Sequence, residues 1–454
     1  MSERAVPGPD WVRHAVFWHV YPLGFTGAEA RAGDLTEQVR HRLPHLAGWL
    51  DHVLALGASG LLLGPVFASE THGYDTVDHF RVDPRLGNDD DLDALLRAAS
   101  ERGLRVVLDG VFHHVGRSHP AFRAVLEQGP SAPTASWFRL RWPGGPDAWT
   151  PGTEPDYDDF EGHHQLVALN HAEPAVADHV ADVMTHWLDR GAAGWRLDAA
   201  YAVPAGFWAQ VADRVRERHP DAYLVGEVIH GDYEAAVVDG HLDSVTQYEL
   251  WKAVWSSLND GNLHELAHAL GRHDGFSRTF APLTFLGNHD VTRIASRLHD
   301  PAHLAHALAV LTTVAGTPCV YAGDEHAFRG VKEDRAGGDD AVRPPFPATP
   351  EELSPLGLPT FHLHQELIGL RRRHAWLHGA RTSVLHVAND ALAYASEGGP
   401  GERIVVALST AGGTSAVPAP GAREVLAGTG RVLDAGTDGA RVELPPGGWV
   451  VAAG

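Results

Sequence analysis

The chain has a single cysteine, Cys319, among its 454 residues. One cysteine cannot form a disulfide within the chain, and it excludes metal sites built from several thiolates. Nothing in the composition therefore requires an oxidising compartment.

Lysine is scarce as well. Only Lys252 and Lys332 occur, and 36 basic residues stand against 58 acidic ones, which gives a formal net charge of −22. Binding to nucleic acid depends on clustered cations that neutralise phosphates. We therefore expect no nucleic-acid partner, and the acidic excess favours solubility.

Long apolar runs are absent. The N-terminal residues contain no apolar segment of the kind found in a signal peptide, and no later uncharged stretch is long enough to span a bilayer. We therefore expect a cytoplasmic protein with no membrane partner.

What remains is globular, with 44% hydrophobic and 21% charged residues. The length fits a barrel of about 250 residues with an added domain. Eight short apolar runs predict strands, and segments with helical periodicity lie between them. The predicted strands are 15–21, 60–65, 105–109, 194–198, 222–227, 242–246, 282–288 and 318–323. The clearest predicted helices are 90–102, 174–190, 206–218 and 301–314.

Repeated strand-then-helix order predicts an α/β fold whose parallel sheet closes into a (β/α)8 TIM barrel; a doubly wound open sheet is the competing architecture. Segment 114–165 has no clear period and is predicted as a long loop after strand 3, a short domain on the barrel rim. After a helix at 360–373, turn residues separate short predicted strands at 404–408, 423–426, 441–444 and 449–453. We expect the barrel over 1–379 and a C-terminal antiparallel β-domain, sandwich-like, over 380–454.

Three acidic residues follow predicted strands. Asp198, Glu227 and Asp290 come after the fourth, fifth and seventh apolar runs. Reacting groups of a TIM barrel lie at the C-terminal ends of its strands, so these carboxylates should converge. A retaining glycosidase needs one carboxylate nucleophile and one protonated carboxylic acid about 5 Å away, and a third carboxylate would bind sugar hydroxyls. Capping of strand-to-helix turns is the alternative for any one of them alone.

Seven short segments, taken in order, carry a family resemblance. They are HGYD at 72–75, VDP at 82–84, DGVFHH at 109–114, GWRLD at 194–198, GEV at 226–228, FLGNHD at 285–290 and GTP to GDE at 316–325. Together they resemble motifs of the α-amylase family, glycoside hydrolase family 13. The resemblance is nearest to the cyclomaltodextrinase and neopullulanase type, or to other small intracellular maltooligosaccharide hydrolases.

The resemblance implies a role for each acidic residue. Asp198 would be the nucleophile, Glu227 the general acid that later acts as base, and Asp290 the carboxylate that binds two sugar hydroxyls. Arg196 would pair with Asp198 and keep it ionised.

The resemblance also implies a set of substrate-binding residues. His114 and His289 would hydrogen-bond the glucosyl unit, and Tyr74 would stack on its ring. Asp75 and Arg343 are expected to pair at the non-reducing side.

On this basis we expect a retaining hydrolase of α-1,4 bonds in short or cyclic maltooligosaccharides, with an oligosaccharide as its partner and homodimer formation left open. His230, three residues after Glu227, is expected in the leaving-group subsite. The small Ala199 goes with α-1,4 cleavage in related α-glucosidases. A transglycosylase or isomerase of the same family would use the same carboxylates, and a non-catalytic glucan-binding relative is a further alternative.

No cofactor is expected, and no calcium at the usual family site. Many members hold a structural calcium with an asparagine where this chain has His113, and with an aspartate where it has Ala168. A Lys-His pair near that site is replaced by Tyr201 and Ala202. Because calcium prefers several oxygen ligands, these replacements argue against the metal.

A zinc endopeptidase is a rival from another class. His264, Glu265 and His268 form a His-Glu-x-x-His match, and Asp274 stands where a third ligand would follow. Such proteases carry a methionine turn downstream, and the chain has only two methionines, neither of them there. A solvent-facing side of a barrel helix is the simpler explanation.

Overall fold

The computed structural model describes residues 6, 8–32, 38–335 and 337–454, so residues 1–5, which begin the predicted barrel, lie outside the described part. Its central sheet is parallel. The strands are Phe17–Val20 (β1), Gly60–Leu63 (β2), Arg105–Gly110 (β3), Gly194–Leu197 (β4), Tyr223–Gly226 (β5), Ser244–Val245 (β6), Leu283–Phe285 (β7) and Thr317–Tyr321 (β8).

The sheet closes on itself. The strands are hydrogen-bonded in the order β6, β5, β4, β3, β2, β1, β8, β7. A parallel bridge between Thr246 and Leu283 then joins the two ends of this series. The predicted (β/α)8 barrel is therefore confirmed, and the open doubly wound sheet is wrong.

The barrel strands are apolar throughout because successive side chains point to opposite faces of the sheet and both faces are buried. In β2, Leu61 and Leu63 pack outward with the helices, whereas Leu62 lies in the cluster inside the barrel. In β3, Val106 faces outward and Val107 inward in the same way. Both faces of each strand are buried, as expected for a parallel sheet covered by helices.

Helices surround the barrel. They include Leu50–Leu56, Asp89–Glu101, Pro174–Asp189, Ala205–Arg218, Tyr233–Asp239, Tyr248–Asp260, His264–Phe276, Leu304–Thr313 and Leu358–Arg373. The others are Pro22–Phe25, Leu43–Ala47, Pro120–Gln128 and Ile294–Arg297. In the helix that precedes β3, Asn88 and Asp91 form a reciprocal capping box that sets its first turn. None of the helices in the described part is both long and apolar enough to cross a membrane.

Two excursions leave the barrel rim. After β2, Phe67–Ser69 and Thr76–Val82 form an antiparallel ribbon. After β3, the chain forms a small sheet from His114–Gly116, Asp159–Phe160 and His163–Ala168, with the strand pair Leu140–Arg141 and Asp156–Tyr157 beside it. Hydrogen-bonded pairing of the third strand continues to Ala168, past position 165.

The C-terminal part consists of antiparallel strands in two sheets. They are Arg381–Val387 (β9), Ala391–Glu397 (β10), Arg403–Ser409 (β11), Ser415–Pro418 (β12), Val425–Gly428 (β13), Arg431–Leu433 (β14), Arg441–Leu444 (β15) and Trp449–Ala453 (β16). One sheet has the order β9, β10, β11, β16, β13, and the other β12, β15, β14. Alternate residues of β10 serve the two sides of the larger sheet: Leu392 packs with the barrel helices, and Ala393 packs in the apolar cluster shared by the two sheets.

Candidate active site

Asp198 and Glu227 directly follow the neighbouring strands β4 and β5. Leu197 pairs with Gly226 in the parallel register, so the two acids are the next residues of their strands. Neighbouring strands lie about 4.8 Å apart, and this spacing sets the two carboxyl groups side by side at one end of the barrel. Both residues are buried.

Arg196 holds three carboxylates together. Its Nη1 atom lies 2.7 Å from Asp109 Oδ2 and 3.2 Å from Asp198 Oδ1, and its Nη2 atom lies 2.6 Å from Glu227 Oε1. A buried acid is costly unless it is paired, and here one guanidinium pairs with all three. Its planar fork fixes Asp198 and Glu227 relative to each other.

The charge balance at Asp198 differs from the one expected from sequence. Burial, and then the negative charge of Glu227, raise the pKa of Asp198 well above its usual range, and Arg196 opposes this only in part. The guanidinium is shared among three carboxylates and so does not by itself keep Asp198 ionised. Two carboxylates held by one guanidinium repel each other, and this repulsion disfavours the ionised form of Asp198.

The Glu227 carboxyl accepts hydrogen bonds from two groups besides Arg196. The Tyr248 hydroxyl donates to Glu227 Oε1 at 3.1 Å and accepts from Asn288 Nδ2 at 2.9 Å. The Ala199 amide donates to Glu227 Oε2 at 3.2 Å. Ala199 has a φ of 46°, in the left-handed region, and this turn after β4 aims its N–H at the acid. The contact from Tyr248 was not predicted because no motif marks that residue.

Asp290 follows β7 on the same rim. Arg343 Nη2 lies 2.6 Å from its Oδ1 atom, and His289 Nε2 lies 2.8 Å from its Oδ2 atom. Although burial acts in the opposite direction, His289 and Arg343 hold the pKa of Asp290 well below its usual range. Asp290 is therefore an ionised carboxylate that lies on the same rim as Asp198 and Glu227.

His289 is buried in a stack of nearly parallel rings. The interplanar angles are 4° to His19, 8° to Tyr21 and 7° to Tyr74. The Tyr74 hydroxyl hydrogen-bonds to His289 and also to Asp109 Oδ2, at 3.1 Å for the latter. These contacts hold the Tyr74 ring against the wall of the site.

The predicted ion pair between Asp75 and Arg343 is wrong. Asp75 accepts hydrogen bonds from the Thr71 amide at 3.0 Å and the Thr71 hydroxyl at 2.6 Å, which closes a turn in the loop after β2. Arg343 instead contacts Asp290 and, at 3.0 Å, Asp339. Arg343 thus pairs most closely with Asp290 and also with a carboxylate of its own segment, Asp339.

Two other predicted sugar-binding residues have surroundings that change their expected contacts. His114 lines the cavity, but its Nε2 donates to the Tyr74 carbonyl at 2.9 Å, so that N–H is already used. His230 is exposed and lies edge-on to Tyr201, with ring centroids 5.3 Å apart. Its neighbour Ile229 lines the cavity instead.

The three acids open into a cavity of about 530 Å³. Tyr74, Arg343 and His114 also form part of its wall. Wall residues that the sequence did not indicate are Phe160, Glu161, Tyr201, Ile229, Trp251, Val291, Lys332 and Asp339. Trp251 reaches the cavity from the first turn of the helix that begins at Tyr248.

A second cavity, of about 600 Å³, lies between the barrel rim and the excursion after β3. Its wall includes the positions where the family resemblance would place calcium ligands, His113, Ala168 and Ala202. Arg141 contacts Asp156 at 2.8 Å and Asp158 at 2.6 Å. A guanidinium thus takes the carboxylate oxygens that calcium would need, and the residues present do not suit that ion.

The zinc endopeptidase hypothesis is wrong. The motif begins the helix His264–Phe276 on the outside of the barrel. Glu265 hydrogen-bonds to Lys252, and Asp274 pairs with Arg381 at 2.7 Å. The two acidic groups that the motif would need are therefore committed to cations of the protein.

Comparison with known proteins gives a family for this architecture. The model of the α-amylase catalytic domain matches residues 20–352. A cyclomaltodextrinase from Bacillus sp is 32% identical over 356 residues, covering 71% of this chain and 61% of that protein. An intracellular maltogenic amylase from Bacillus subtilis is 27% identical over 348 residues, covering 71% and 57%. The chain thus spans about three fifths of the length of these two relatives.

A solved structure is similar over nearly the whole chain. It is the ligand-free form of cyclic α-maltosyl-(1→6)-maltose hydrolase from Arthrobacter globiformis, with a TM-score of 0.80 and 28% sequence identity. The similarity covers 98% of this chain and 99% of that one.

Proposed function

Because the chain belongs to the α-amylase family, we propose that it is a retaining glycoside hydrolase that cleaves α-1,4 bonds in short or cyclic maltooligosaccharides. The observation that carries the proposal is the pair Asp198 and Glu227 on adjacent strands, joined by Arg196 at the wall of one cavity. Inverting enzymes hold their carboxyl groups about 6.5–9.5 Å apart, whereas retaining enzymes need about 5 Å. The spacing of neighbouring strands, about 4.8 Å, favours direct attack.

In the first step, Asp198 attacks the anomeric carbon while Glu227 donates its proton to the departing glycosidic oxygen. The bond from carbon to the leaving sugar breaks as the bond from carbon to the Asp198 carboxylate forms. Repulsion between the two carboxylates, which raises the pKa of Asp198, disfavours a site in which both are ionised, and the mechanism requires the single proton to be on Glu227 when Asp198 attacks.

In the second step, Glu227 acts as the base. Its carboxylate takes a proton from water, the water oxygen bonds to the anomeric carbon, and the ester bond to Asp198 breaks. The product keeps the configuration of the substrate, and both acids return to their initial protonation states.

Asp290 holds the sugar in place for both steps. Its carboxylate is ionised and lies beside the cavity with Arg343 and His289, so it can accept hydrogen bonds from two adjacent hydroxyl groups. Tyr74, held flat by its stack with His289, presents an aromatic wall to the sugar ring.

The substrate class follows from the size and wall of the cavity. A volume of about 530 Å³ is in the range of sites that enclose a compact ligand, which favours short or cyclic oligosaccharides over long polymer chains. Ala199, which lines the cavity directly after the nucleophile, matches the small residue that goes with α-1,4 cleavage in related α-glucosidases. The names of the cyclomaltodextrinase and the cyclic maltosyl-maltose hydrolase to which the chain is similar support cyclic substrates.

The proposal includes no calcium and a cytoplasmic location. The contacts of Arg141 with Asp156 and Asp158 support the first point. The similarity to an intracellular maltogenic amylase supports the second.

A substrate panel tests the proposal. Purified protein is incubated with maltotetraose, cyclic dextrins, soluble starch, trehalose and sucrose, and the anomer released first is followed by NMR. We expect the α-anomer, higher rates on the small α-1,4 substrates than on starch, and little cleavage of trehalose or sucrose. Initial release of the β-anomer would overturn retention, and a clear preference for starch would overturn the substrate class.

The same reactions distinguish hydrolysis from transfer. A hydrolase yields reducing ends in step with bond cleavage, whereas a transglycosylase yields longer oligosaccharides with few new reducing ends. Product chain lengths at early times therefore decide between the two. No turnover on any of these sugars would favour a non-catalytic glucan-binding protein.

A further inference from the structure

Three histidines from separate elements meet outside the catalytic cavity. His79 lies on the ribbon that follows β2, His119 precedes the helix Pro120–Gln128, and His179 lies in the helix Pro174–Asp189. Each offers one ring nitrogen to a group in which the three nitrogens lie within 4.8 Å of one another. Segments that are distant in sequence thus bring three imidazoles to one point.

His79 has a nitrogen that is free to bind a ligand. Its Nε2 donates to the Val111 carbonyl at 2.9 Å, which leaves the lone pair on Nδ1. This Nδ1 is buried and has no hydrogen-bond partner among the described residues, in a side chain that is 1% exposed. A buried polar atom without a partner is costly, so the site has an unmet requirement for a ligand.

His179 repeats the pattern from the helix side. Its Nε2 atom is buried and likewise meets no hydrogen-bond partner in the part of the chain that the structure describes. The Trp137 and Phe80 rings lie 5.0 and 5.7 Å from its ring and restrict its rotation. Two of the three rings therefore hold an unpaired nitrogen in a fixed place.

His119 can supply the third nitrogen through its Nε2 atom. Its Nδ1 accepts a long hydrogen bond of 3.2 Å from the Ala121 amide. When Nε2 binds a cation, the ring proton moves to Nδ1 and this contact is lost. Binding of the ion must therefore outweigh the loss of this side-chain cap at the start of the helix Pro120–Gln128.

The three rings are in the protonation state that a metal needs. Burial lowers the pKa of His79 well below its usual range, the pKa of His119 to about 3, and the pKa of His179 to a lesser degree. Neutral imidazole is the ligand form of histidine. Asp78 and Asp182 lie close enough to His179 to favour a cation there.

We propose that His79, His119 and His179 bind one divalent transition-metal ion of the zinc class. Three imidazole nitrogens at about 2.0–2.1 Å and one water molecule would give a tetrahedral site. Ligand nitrogens of a tetrahedral site lie about 3.3 Å apart, so the group, whose nitrogens lie within 4.8 Å of one another, would contract when the ion binds. Calcium and magnesium are not expected, because they prefer oxygen ligands and this cluster offers nitrogen.

Such an ion would join the ribbon after β2, the excursion after β3 and a barrel helix. Val111, whose carbonyl orients His79, lies two residues beyond Asp109 of the catalytic cluster. The ion would therefore support the base of the excursion without entering the cavity. Since it would bind the folded chain only, it should raise the melting temperature.

The test uses full-length protein without a polyhistidine tag, dialysed against a chelator and then freed of it. Zinc binding is measured by titration calorimetry, and cobalt(II) binding by the visible absorption that tetrahedral sites give. We expect one saturable site per chain and a higher melting temperature with zinc. In His179→Ala and His79→Ala, affinity should fall at least about tenfold, and in the matched control His264→Ala, an exposed histidine of another helix, it should not change.

The melting temperature of each metal-free variant checks that it folds. If His79→Ala does not fold, His179→Ala and His179→Gln decide, because His179 is only half-buried. Failure to bind zinc in one saturable site would overturn the proposal, and so would unchanged binding in the His179 variants. Weak binding at several sites, reduced equally by His264→Ala, would assign the metal to scattered surface histidines. None of these measurements depends on the enzymatic activity.

Discussion

At the scale of single residues, the candidate site depends on how one cation is shared. Arg196 contacts Asp109, Asp198 and Glu227, all of them buried. The shared charge keeps the acids in one place but does not offset the burial and the repulsion by Glu227 that raise the pKa of Asp198. A sequence motif indicates which residues come together. How strongly the Arg196 guanidinium stabilises each carboxylate depends on the distances between their atoms, which the motif does not give.

Replacing Asp198 by asparagine should remove nearly all turnover. Asparagine keeps the size of the side chain but cannot form the ester intermediate, so kcat should fall by about 10³-fold or more. Release of sugar from maltotetraose measures the effect, and a thermal melt checks the fold.

Asp213→Asn is the matched control, since Asp213 is exposed and pairs only with His241 among the described residues. Its activity should stay within a factor of two of the parent. Asp198→Asn with substantial activity would show that another group is the nucleophile.

Replacing Arg343 by methionine should change the pH profile. Arg343 and His289 hold the pKa of Asp290 low, so removal of one cation makes the ionised form less favourable and raises that pKa. Asp290 would then take up a proton at a higher pH. Binding of maltose requires the ionised Asp290 but no attack by Asp198, so the acid limb of the maltose affinity against pH, measured by calorimetry, should move upward by about one pH unit.

Arg218→Met, which breaks an exposed pair with Asp189, serves as the control and should leave the limb in place. A profile of Arg343→Met that is lower at every pH but unshifted would contradict the role given to Arg343. It would mean that Arg343 binds substrate without influencing Asp290.

At the scale of elements, ion pairs connect two short strands within the excursion after β3. The strand pair Leu140–Arg141 and Asp156–Tyr157 is crossed by the contacts of Arg141 with Asp156 and Asp158. These groups are largely exposed, so each pair contributes little to stability. Their effect is to occupy carboxylates on the wall of the second cavity.

Activity should therefore not depend on calcium. After dialysis against a chelator, adding calcium should change neither the hydrolysis rate nor the melting temperature, because the positions of His113, Ala168 and Ala202 offer no suitable oxygen side chains. The comparison is between chelated protein with and without calcium, so that loss of a transition metal does not affect it. A melting temperature that calcium raises by several degrees would contradict the prediction.

Some elements were predicted from the sequence and others were not. Strands β15 and β16 have the predicted bounds because their alternation is regular and turn residues flank them. Strand β10 was not predicted, since its Ala-rich sequence has low strand propensity and only its pairing with β9 and β11 defines it. At 301–314, the first turn is a 3₁₀ helix, Pro301–His303, and the α-helix begins at Leu304.

At the scale of the whole molecule, the barrel and the C-terminal sheets share a core. Leu392 of β10 belongs to the same buried cluster as Leu308 and Leu367 of the barrel helices. The Tyr394 hydroxyl also hydrogen-bonds to the Thr313 hydroxyl at 2.6 Å across this contact. The two parts should therefore unfold together.

Replacing Leu392 by alanine should destabilise both parts at once. A buried Leu→Ala change leaves a cavity and costs about 2–5 kcal/mol in the free energy of unfolding. Urea unfolding, followed by tryptophan fluorescence and by far-UV circular dichroism, should shift as one transition.

The matched control is Val384→Ala, because Val384 on β9 is 37% exposed and its truncation should cost little. Two separate transitions, with the first alone shifted by Leu392→Ala, would show that the C-terminal sheets unfold independently of the barrel.

The barrel fold could be predicted from the sequence alone, because the repeated order of strand and helix leaves few ways to bury both faces of apolar strands. It also indicated the three acids, since parallel strands bring their C-terminal ends to one rim. The side-chain contacts became evident only in the folded structure. Arg343 pairs with Asp290 rather than Asp75, Tyr248 hydrogen-bonds to Glu227, and three histidines form one group. These contacts join segments far apart in the chain, and their side-chain distances depend on packing that no local pattern records.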